Sequence, residues 1–225
     1  MRFASLRRLL PAVAVVAFVG GAAAADIHSS SPTGTPPRQA VAALAAGNAR
    51  FVAGTATHPD QSVDRRAEVA PAQHPIAVIV SCSDSRVPPE IVFDQGLGDL
   101  FVVRCAGNVV SNEDLGSIEY AAEHQGVRLV VVLGHQRCGA VTAAAQSDHA
   151  PGHIDSLVRA IRPAVLAVRG KPGDPIDNAV RANVRLVVHR IATSQPIIAP
   201  KYRSGDVQVV GAYYSLDTGK VTFLK

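Results

Sequence analysis

Two runs of consecutive apolar residues, each followed at once by polar residues, stand out along the chain. Residues 76–80 (IAVIV) and 129–133 (LVVVL) show no alternation and are rich in β-branched side chains. Such runs are typical of strands buried on both faces of a parallel sheet. Because ligands of open α/β proteins bind beyond the carboxyl ends of parallel strands, the polar residues after each run mark a candidate site.

Segments with helical periodicity separate the predicted strands. Helices are predicted at 38–51, 112–125, from 139 onward, 154–168 and 175–192, and further strands at 100–104, 207–214 and 220–224. Asn112 is the expected N-terminal cap of the helix that follows it. Alternation of strand and helix indicates a parallel sheet, whereas the last two strands form a hairpin around Asp217-Thr218-Gly219. The predicted fold class is α/β: a mostly parallel central β-sheet with an antiparallel C-terminal edge strand, flanked by helices, plus an N-terminal helical arm.

The first 25 residues have the features of a secretory signal peptide. Three arginines precede an apolar run at 9–19, and small residues at 23–25 supply a cleavage site before Asp26. The apolar run is short for a bilayer span and contains a proline, so we expect no stable membrane anchor after cleavage. The protein is expected to be exported, to the periplasm or beyond it, and the arginine pair at 7–8 is compatible with both the general and the twin-arginine route.

The mature chain is expected to form a single domain. Residues 26–37, rich in Ser, Pro, Thr and Gly, are predicted to be a flexible leader, and residues 38–225 one α/β domain. Removal of the signal peptide lowers the formal net charge from +4 to +1, because three arginines leave with no acidic residue. A nucleic-acid-binding surface would need clustered Lys and Arg and usually aromatic residues; this chain has no tryptophan, and its sequence does not indicate such a surface.

Three residues that follow the buried strands are metal ligands by type: Cys82, His135 and Cys138. Two thiolates and an imidazole suit zinc, and three protein ligands leave a fourth position open, as in catalytic zinc sites. Cys138 precedes a predicted helix, where the helix dipole and the free amides favour the thiolate. The alternative in an oxidising compartment is a disulfide between the two cysteines, which gives no role to His135.

Asp84 and Arg86 follow closely on Cys82. Asp84 is expected to accept a hydrogen bond from zinc-bound hydroxide, or to coordinate the zinc and close the site, while Arg86 keeps the carboxylate charged and oriented. The alternative is a strand-end ion pair of little energetic consequence. Two thiolates nearly neutralise the zinc charge, so they lower the pKa of bound water less than three histidines do, and activity is expected to favour alkaline pH.

Four motifs of the chain together resemble those of the β-class carbonic anhydrases. They are Cys82-Ser83-Asp84-Ser85-Arg86-Val87-Pro88, Arg104-x-Ala106-Gly107-Asn108, Ser117-Ile118-Glu119-Tyr120 and Gly134-His135-x-x-Cys138-Gly139. The resemblance extends from the Gly47-Asn48-x-Arg50-Phe51 stretch to the final hairpin, so it covers essentially all of the mature chain. It implies one Zn²⁺ ion per subunit, and a homodimer or higher oligomer in which the helical arm embraces a partner and the active sites lie at subunit contacts.

The resemblance also implies a role for each site residue. The implied zinc ligands are Cys82, His135 and Cys138, and the implied catalytic dyad is Asp84 and Arg86. Gln73 corresponds to a substrate-orienting glutamine, Tyr120 to a pocket tyrosine, and Phe101 to a pocket-lining aromatic from the partner subunit. The alternatives are an exposed loop residue for Gln73 and ordinary core packing for the two aromatic residues.

The implied activity is the reversible hydration of carbon dioxide to bicarbonate and a proton, by attack of zinc-bound hydroxide on carbon dioxide and displacement of bicarbonate by water. His58, His74 and His124 are equal candidates for relaying the proton. One alternative keeps the fold and the zinc but hydrolyses carbon disulfide or carbonyl sulfide. The others are a thiol redox or zinc-storage protein, and a scaffold in which zinc only joins two strands.

Two positions depart from the family pattern. Some members carry a tryptophan three residues before the first cysteine, as part of a second, regulatory bicarbonate site, and this chain has Ile79 there. That form of regulation is therefore not expected, although Arg104 is present. Cys105 stands where the family often has another residue, and it is expected to act as a buried small hydrophobic residue rather than as a ligand.

Overall fold

The computed structural model describes residues 34–224, which form a five-stranded sheet in the order β2-β1-β3-β4-β5. The strands are β1 (Ala77–Ser81), β2 (Leu100–Arg104), β3 (Leu129–His135), β4 (Gln208–Tyr214) and β5 (Val221–Phe223). The first four strands are mutually parallel, and β5 pairs antiparallel with β4. The predicted fold class is confirmed, including the antiparallel strand at one edge.

Eight α-helices and one short 3₁₀ turn accompany the sheet in the part of the chain that the structure describes. The helices are α1 (Pro37–Ala53), α2 (Val63–Val69), α3 (Pro89–Val92), α4 (Asn112–His124), α5 (Gly139–Gln146), α6 (Ile154–Ala167), α7 (Pro175–Ala192) and α8 (Ile198–Ser204). The 3₁₀ turn is Ala106–Asn108. No helix of this part is long and apolar enough to cross a membrane. The predicted signal peptide lies outside the described residues.

The central strands are covered on both faces, as their continuous apolar sequences predict. Every residue of β1 and β3 is buried. Because successive side chains of a strand point to opposite faces, Val78 and Val80 join a core with α4 and α7, and Ala77 and Ile79 join a second core with α1 and α3. Helix α1 thus packs on the sheet of its own chain.

Two details differ from the sequence-based prediction. Ser111, not Asn112, caps α4: its hydroxyl accepts a hydrogen bond from the Asp114 amide, and the Asp114 carboxylate accepts one from the Ser111 amide. This reciprocal arrangement satisfies two amides that a cap at Asn112 would leave open. Helix α8 was not predicted, since its seven residues, with a proline and three polar or charged side chains, show no sustained apolar period.

Glycine at position 134 lets α7 approach the sheet. A Cβ atom there would lie 2.5 Å from a methyl group of Val184, which is closer than two carbon atoms can pack. The close approach brings the buried Asn183 of α7 to the loop after β2, where its side-chain amide donates to the Gly107 carbonyl at 2.8 Å. The sequence thus places a helix directly behind the polar strand ends.

A buried carboxylate ties α1 to the loop between α3 and β2. Asp94 is 2% exposed and accepts hydrogen bonds from the Arg50 guanidinium (2.6 Å), the Thr57 amide (3.0 Å) and the His58 amide (2.9 Å). Burial alone raises the pKa of this carboxyl group, but the hydrogen bonds from Thr57, Arg50 and His58 outweigh burial and hold the pKa well below its usual range. The charged form of Asp94 therefore stabilises the folded chain.

We predict that Asp94→Asn lowers the free energy of unfolding by about 2–3 kcal/mol at neutral pH. The buried donors from Arg50, Thr57 and His58 would then face a neutral side-chain amide with one acceptor oxygen instead of a charged carboxylate with two. The folded-state pKa is depressed, so the stabilisation is present above the unfolded-state pKa of about 4 and is lost as pH falls toward the folded-state value. Urea unfolding at several pH values measures the effect, and the native and variant curves should converge in acid. Glu90→Gln, at an exposed position of α3, is the control. A constant difference between the native protein and Asp94→Asn across this range would contradict the assignment.

Candidate metal centre

The three predicted metal ligands meet at the carboxyl edge of the sheet. Cys82 follows β1 directly, His135 is the last residue of β3, and Cys138 is the N-terminal cap of α5. Parallel pairing aligns Ser81 with Leu133, so the two strands end side by side. One ligand atom from each of the three residues lies within 4.8 Å of the others.

The histidine is prepared as a ligand through its Nε2 atom. Its Nδ1 lies 2.9 Å from the Gln136 carbonyl oxygen, and a carbonyl only accepts, so Nδ1 carries the proton. Nε2 is then a lone-pair donor, and it is buried without a hydrogen-bond partner among the described residues. A buried nitrogen with an unpaired lone pair destabilises the folded chain, and a metal ion bound to Nε2 would remove that cost.

The two cysteines form a coupled pair of sulfur donors. Hydrogen bonds from Cys138 and from the Gly107 and Asp84 amides outweigh burial and lower the pKa of the Cys82 thiol well below its usual range. The pKa of Cys138 is raised, because its proton is held toward Cys82 and because the group is buried, although the Val141 and Ala140 amides of α5 act in the opposite direction. One proton shared by two sulfurs is readily displaced by a soft cation.

Zinc fits this donor set. Cys82, Cys138 and His135 are 4%, 1% and 0% exposed, so their charges need compensation that solvent does not supply. Two sulfurs and one imidazole nitrogen are ligands that zinc accepts, and three of them leave a coordination position open. All three cysteines are free, so the disulfide alternative does not describe this structure.

Asp84 and Arg86 lie beside the ligands as a bidentate pair. The Arg86 side chain donates to Oδ1 at 2.9 Å and to Oδ2 at 2.8 Å, and the Arg86 amide donates to Oδ1 at 3.0 Å. These bonds from Arg86 hold the pKa of Asp84 well below its usual range, more strongly than partial burial raises it. Asp84 Oδ2 lies 3.7 Å from His135 Nε2, so the carboxylate faces the metal position as a permanent acceptor.

Two residues from neighbouring elements fix the ligand loop after β1. Arg104, at the end of β2, donates to the carbonyl groups of Cys82 (3.0 Å) and Asp84 (2.7 Å). The Gly107 amide donates to Cys82 Sγ at 3.2 Å from a backbone with φ of +70°, a conformation that favours glycine. Both residues belong to the motif Arg104-x-Ala106-Gly107-Asn108, which does not by itself indicate this role; for Arg104 the only sequence signal is a charged residue at the end of an apolar strand.

The three residues predicted to bind substrate lie on different parts of the chain and differ in exposure. Gln73 is exposed in the segment between α2 and β1, and Phe101 is half-buried on the edge strand β2. Tyr120 is 44% exposed, with its ring centroid 4.9 Å from that of His124. Core packing therefore does not account for Tyr120, and the substrate roles of all three residues stay predictions.

Ile79 and Cys105, the two residues that differ from the family pattern, both lie outside the metal-ligand cluster. Ile79 is fully buried in the core between the sheet and α1. Cys105 is half-buried rather than buried, and it belongs to no cluster of metal-ligating side chains in the described part of the chain. Burial, and to a lesser degree Asp114, raise the pKa of its thiol, so it is a poor nucleophile.

Comparison with known proteins gives one consistent result. The carbonic anhydrase family model matches residues 77–221. Carbonic anhydrase 2 of Mycobacterium tuberculosis is 44% identical over 190 residues, which are 83% of this chain and 92% of the relative. The β-carbonic anhydrase CcaA has a similar structure, with a TM-score of 0.66 and 25% identity over 82% of this chain and 95% of that one.

A tetrameric β-carbonic anhydrase of Sordaria macrospora is also similar, with a TM-score of 0.65 and 26% identity over 82% of this chain and 95% of that one. The family match spans all three ligand positions and most of the sheet. It therefore accounts for the fold and for the cysteine and histidine donors together. The chain belongs to the β-class of the carbonic anhydrase family.

Proposed function

We propose that this protein catalyses the reversible hydration of carbon dioxide to bicarbonate and a proton, with one zinc ion per subunit. The observation that carries the proposal is the convergence of three buried ligand atoms within 4.8 Å, beside a carboxylate that Arg86 holds in the charged form. When bound, zinc is a Lewis acid that lowers the pKa of a coordinated water molecule, so that a nucleophile for carbon dioxide is available near neutral pH.

The side chains of the site divide the remaining work. Asp84 can only accept hydrogen bonds in its charged form, so it orients a donor placed near His135 Nε2. Arg86 occupies both oxygens of Asp84 and fixes the direction of the carboxylate, and Arg104 fixes the backbone that carries it. Preorganised groups of this kind need no rearrangement when charge develops on the substrate.

Neighbouring subunits are proposed to complete the site. Strand β2 is an edge of the sheet, and an unpaired edge of this kind is normally covered. Phe101 lies on this strand, and Tyr120 presents a large aromatic ring to the surface of the single chain. These features support a homodimer or higher oligomer, and the tetrameric relative from Sordaria macrospora supports it by analogy.

The protein is further proposed to work outside the cytoplasm, in the periplasm or secreted. The basic residues, apolar run and small-residue cleavage site of residues 1–25 support export with cleavage before Asp26. A leader at 26–37 and a single domain at 38–225 remain part of the proposal, although helix α1 already begins at Pro37.

Stopped-flow measurement of carbon dioxide hydration on zinc-loaded mature protein tests the proposed activity. We expect stoichiometric zinc, a rate that rises from neutral to alkaline pH, and loss of activity when a chelator removes the metal. Asp84→Asn should retain zinc and lower the rate about 100-fold, which is in the range for loss of a positioned acid or base group.

Glu123→Gln is the matched control for that substitution, because Glu123 forms an ion pair with Lys201 away from the ligands. It should leave the hydration rate unchanged. Zinc-loaded native protein that is inactive at every pH, or that hydrolyses carbon disulfide but does not hydrate carbon dioxide, would refute the proposed activity.

Substitution of Tyr120 tests the proposed subunit contact. Tyr120→Asp places a charge on a surface that we expect to be buried in the dimer. The dimer should therefore dissociate at higher protein concentrations than the native dimer does, and activity should fall as it dissociates. Sedimentation equilibrium gives the dimer dissociation constant. Tyr202→Asp is the control, since Tyr202 is also 44% exposed but lies on α8. A native protein that is monomeric and fully active would show the proposal to be wrong.

Cell fractionation tests export. Full-length protein produced in a bacterial host should accumulate in the periplasm as a chain that begins at Asp26, as determined by N-terminal sequencing. A chain lacking residues 2–25 should stay in the cytoplasm, and conversion of the arginine pair at 7–8 to lysine distinguishes the two export routes. Cytoplasmic full-length protein with an intact N-terminus would contradict the prediction.

A further inference from the structure

The turn between β4 and β5 holds the segment that carries two of the metal ligands. We call residues 135–138 the metal loop and residues 215–219 the hairpin turn. The Gln136 side-chain amide donates to Asp217 Oδ2 at 2.8 Å. The Arg137 guanidinium donates to the same carboxylate twice, to Oδ2 at 3.1 Å and to Oδ1 at 2.6 Å. One carboxylate thus binds both residues that lie between His135 and Cys138.

Gln136 connects this carboxylate to the histidine ligand. The side-chain oxygen of Gln136 accepts hydrogen bonds from the Ser215 hydroxyl (3.2 Å) and the Asp217 backbone amide (3.3 Å). The backbone amide of Gln136 donates to the Tyr214 carbonyl (2.9 Å). The Gln136 carbonyl in turn accepts from His135 Nδ1. The orientation of this carbonyl sets the tautomer and the ring direction of the ligand.

The backbone of the metal loop needs such support. Arg137 has φ of +54°, a left-handed conformation that is uncommon for a residue with a Cβ atom. Residues in this conformation persist when surrounding contacts determine them. The contact that supports Arg137 is its pair of hydrogen bonds to the Asp217 carboxylate, which we call the fork. Arg137 lies one residue before Cys138.

The exposure of the fork separates its role from global stability. The side chains of Arg137 and Asp217 are each 56% exposed. Exposed ion pairs contribute little to the stability of a fold. An effect of Asp217 on the metal centre would therefore appear without a comparable loss of stability of the metal-free protein.

We propose that Asp217 is a positioning residue, which through Gln136 and Arg137 holds the metal loop so that His135 and Cys138 present their ligand atoms to zinc. The proposal rests on the proposed zinc site and deepens it. Asp217 touches neither the metal position nor the substrate in this role, so its substitution should weaken metal retention first and change catalysis only as a result.

Competition for zinc tests the proposal directly. Native protein, Asp217→Asn and Glu123→Gln are each titrated against a chromophoric chelator. We expect the zinc dissociation constant of Asp217→Asn to rise about tenfold, at the lower end of the range for partners of metal ligands. Glu123→Gln, which removes another exposed ion pair, should match the native protein. The melting temperature of metal-free Asp217→Asn should equal that of metal-free Glu123→Gln.

Two further variants make the test specific to the fork. Asp217→Glu keeps the charge and should recover most of the zinc affinity. Combining Asp217→Asn with Arg137→Gln should cost less than the sum of the two single substitutions, because both remove one contact. Native zinc affinity in Asp217→Asn, or strictly additive losses, would overturn the proposal.

Chelator competition also separates this proposal from the proposed activity. Zinc-binding native protein that does not hydrate carbon dioxide would refute the activity and leave the comparison of affinities valid. A loss of zinc affinity in Asp217→Asn that is matched by an equal loss of metal-free stability would show a structural role only, and would overturn the positioning role while leaving the activity untouched.

Discussion

The parallel pairing of β1 with β3 is the constraint on which the metal centre depends. Their register aligns Ser81 with Leu133, so Cys82 and His135 leave the sheet at the same edge and at nearly the same height. Neighbouring parallel strands bring together ligands from distant sequence positions, and the chain between two such strands needs a long crossover connection, usually a helix. Strand β2 and helix α4 provide that crossover here. The order of the strands therefore determines that a site exists.

Close packing of α7 behind this edge of the sheet fixes the positions of the metal ligands. Helix α7 lies against Gly134, and its buried Asn183 holds the Gly107 carbonyl, while the Gly107 amide points at Cys82. A core residue of α7 is thereby linked through the single residue Gly107 to a ligand sulfur. Because protein interiors are densely packed and deform little, the position of that sulfur is determined before any metal binds. Such a preformed site suits a catalytic metal, whose open position has to stay in one place.

Much of this arrangement is readable from sequence because it is local. A buried parallel strand needs only a run of apolar residues, and the polar residues just beyond the run are then placed at the carboxyl edge, as Cys82 and His135 are. The cap at Ser111 required comparison of two adjacent candidates, and only Ser111 has an acidic residue at the spacing that returns a hydrogen bond. The hydrogen bonds of Asp217 to the metal loop join residues about 80 positions apart, and no periodicity or motif encodes such a pairing. The proposed role of Phe101 in a partner's pocket depends on a contact between subunits, which the fold of one chain does not determine.

The two ligand-bearing segments are held from opposite edges of the sheet. Arg104 ends the edge strand β2 and binds the carbonyl groups of the segment after β1, whereas Asp217 precedes the edge strand β5 and binds the segment after β3. Each support combines a guanidinium with oxygen acceptors, but in one case the sheet edge supplies the cation and in the other the anion. Both edge strands are paired on one side only, so they are less constrained by the sheet than the central strands. The central strands thus bring the ligands together, and the less constrained edges determine how firmly the ligands are held.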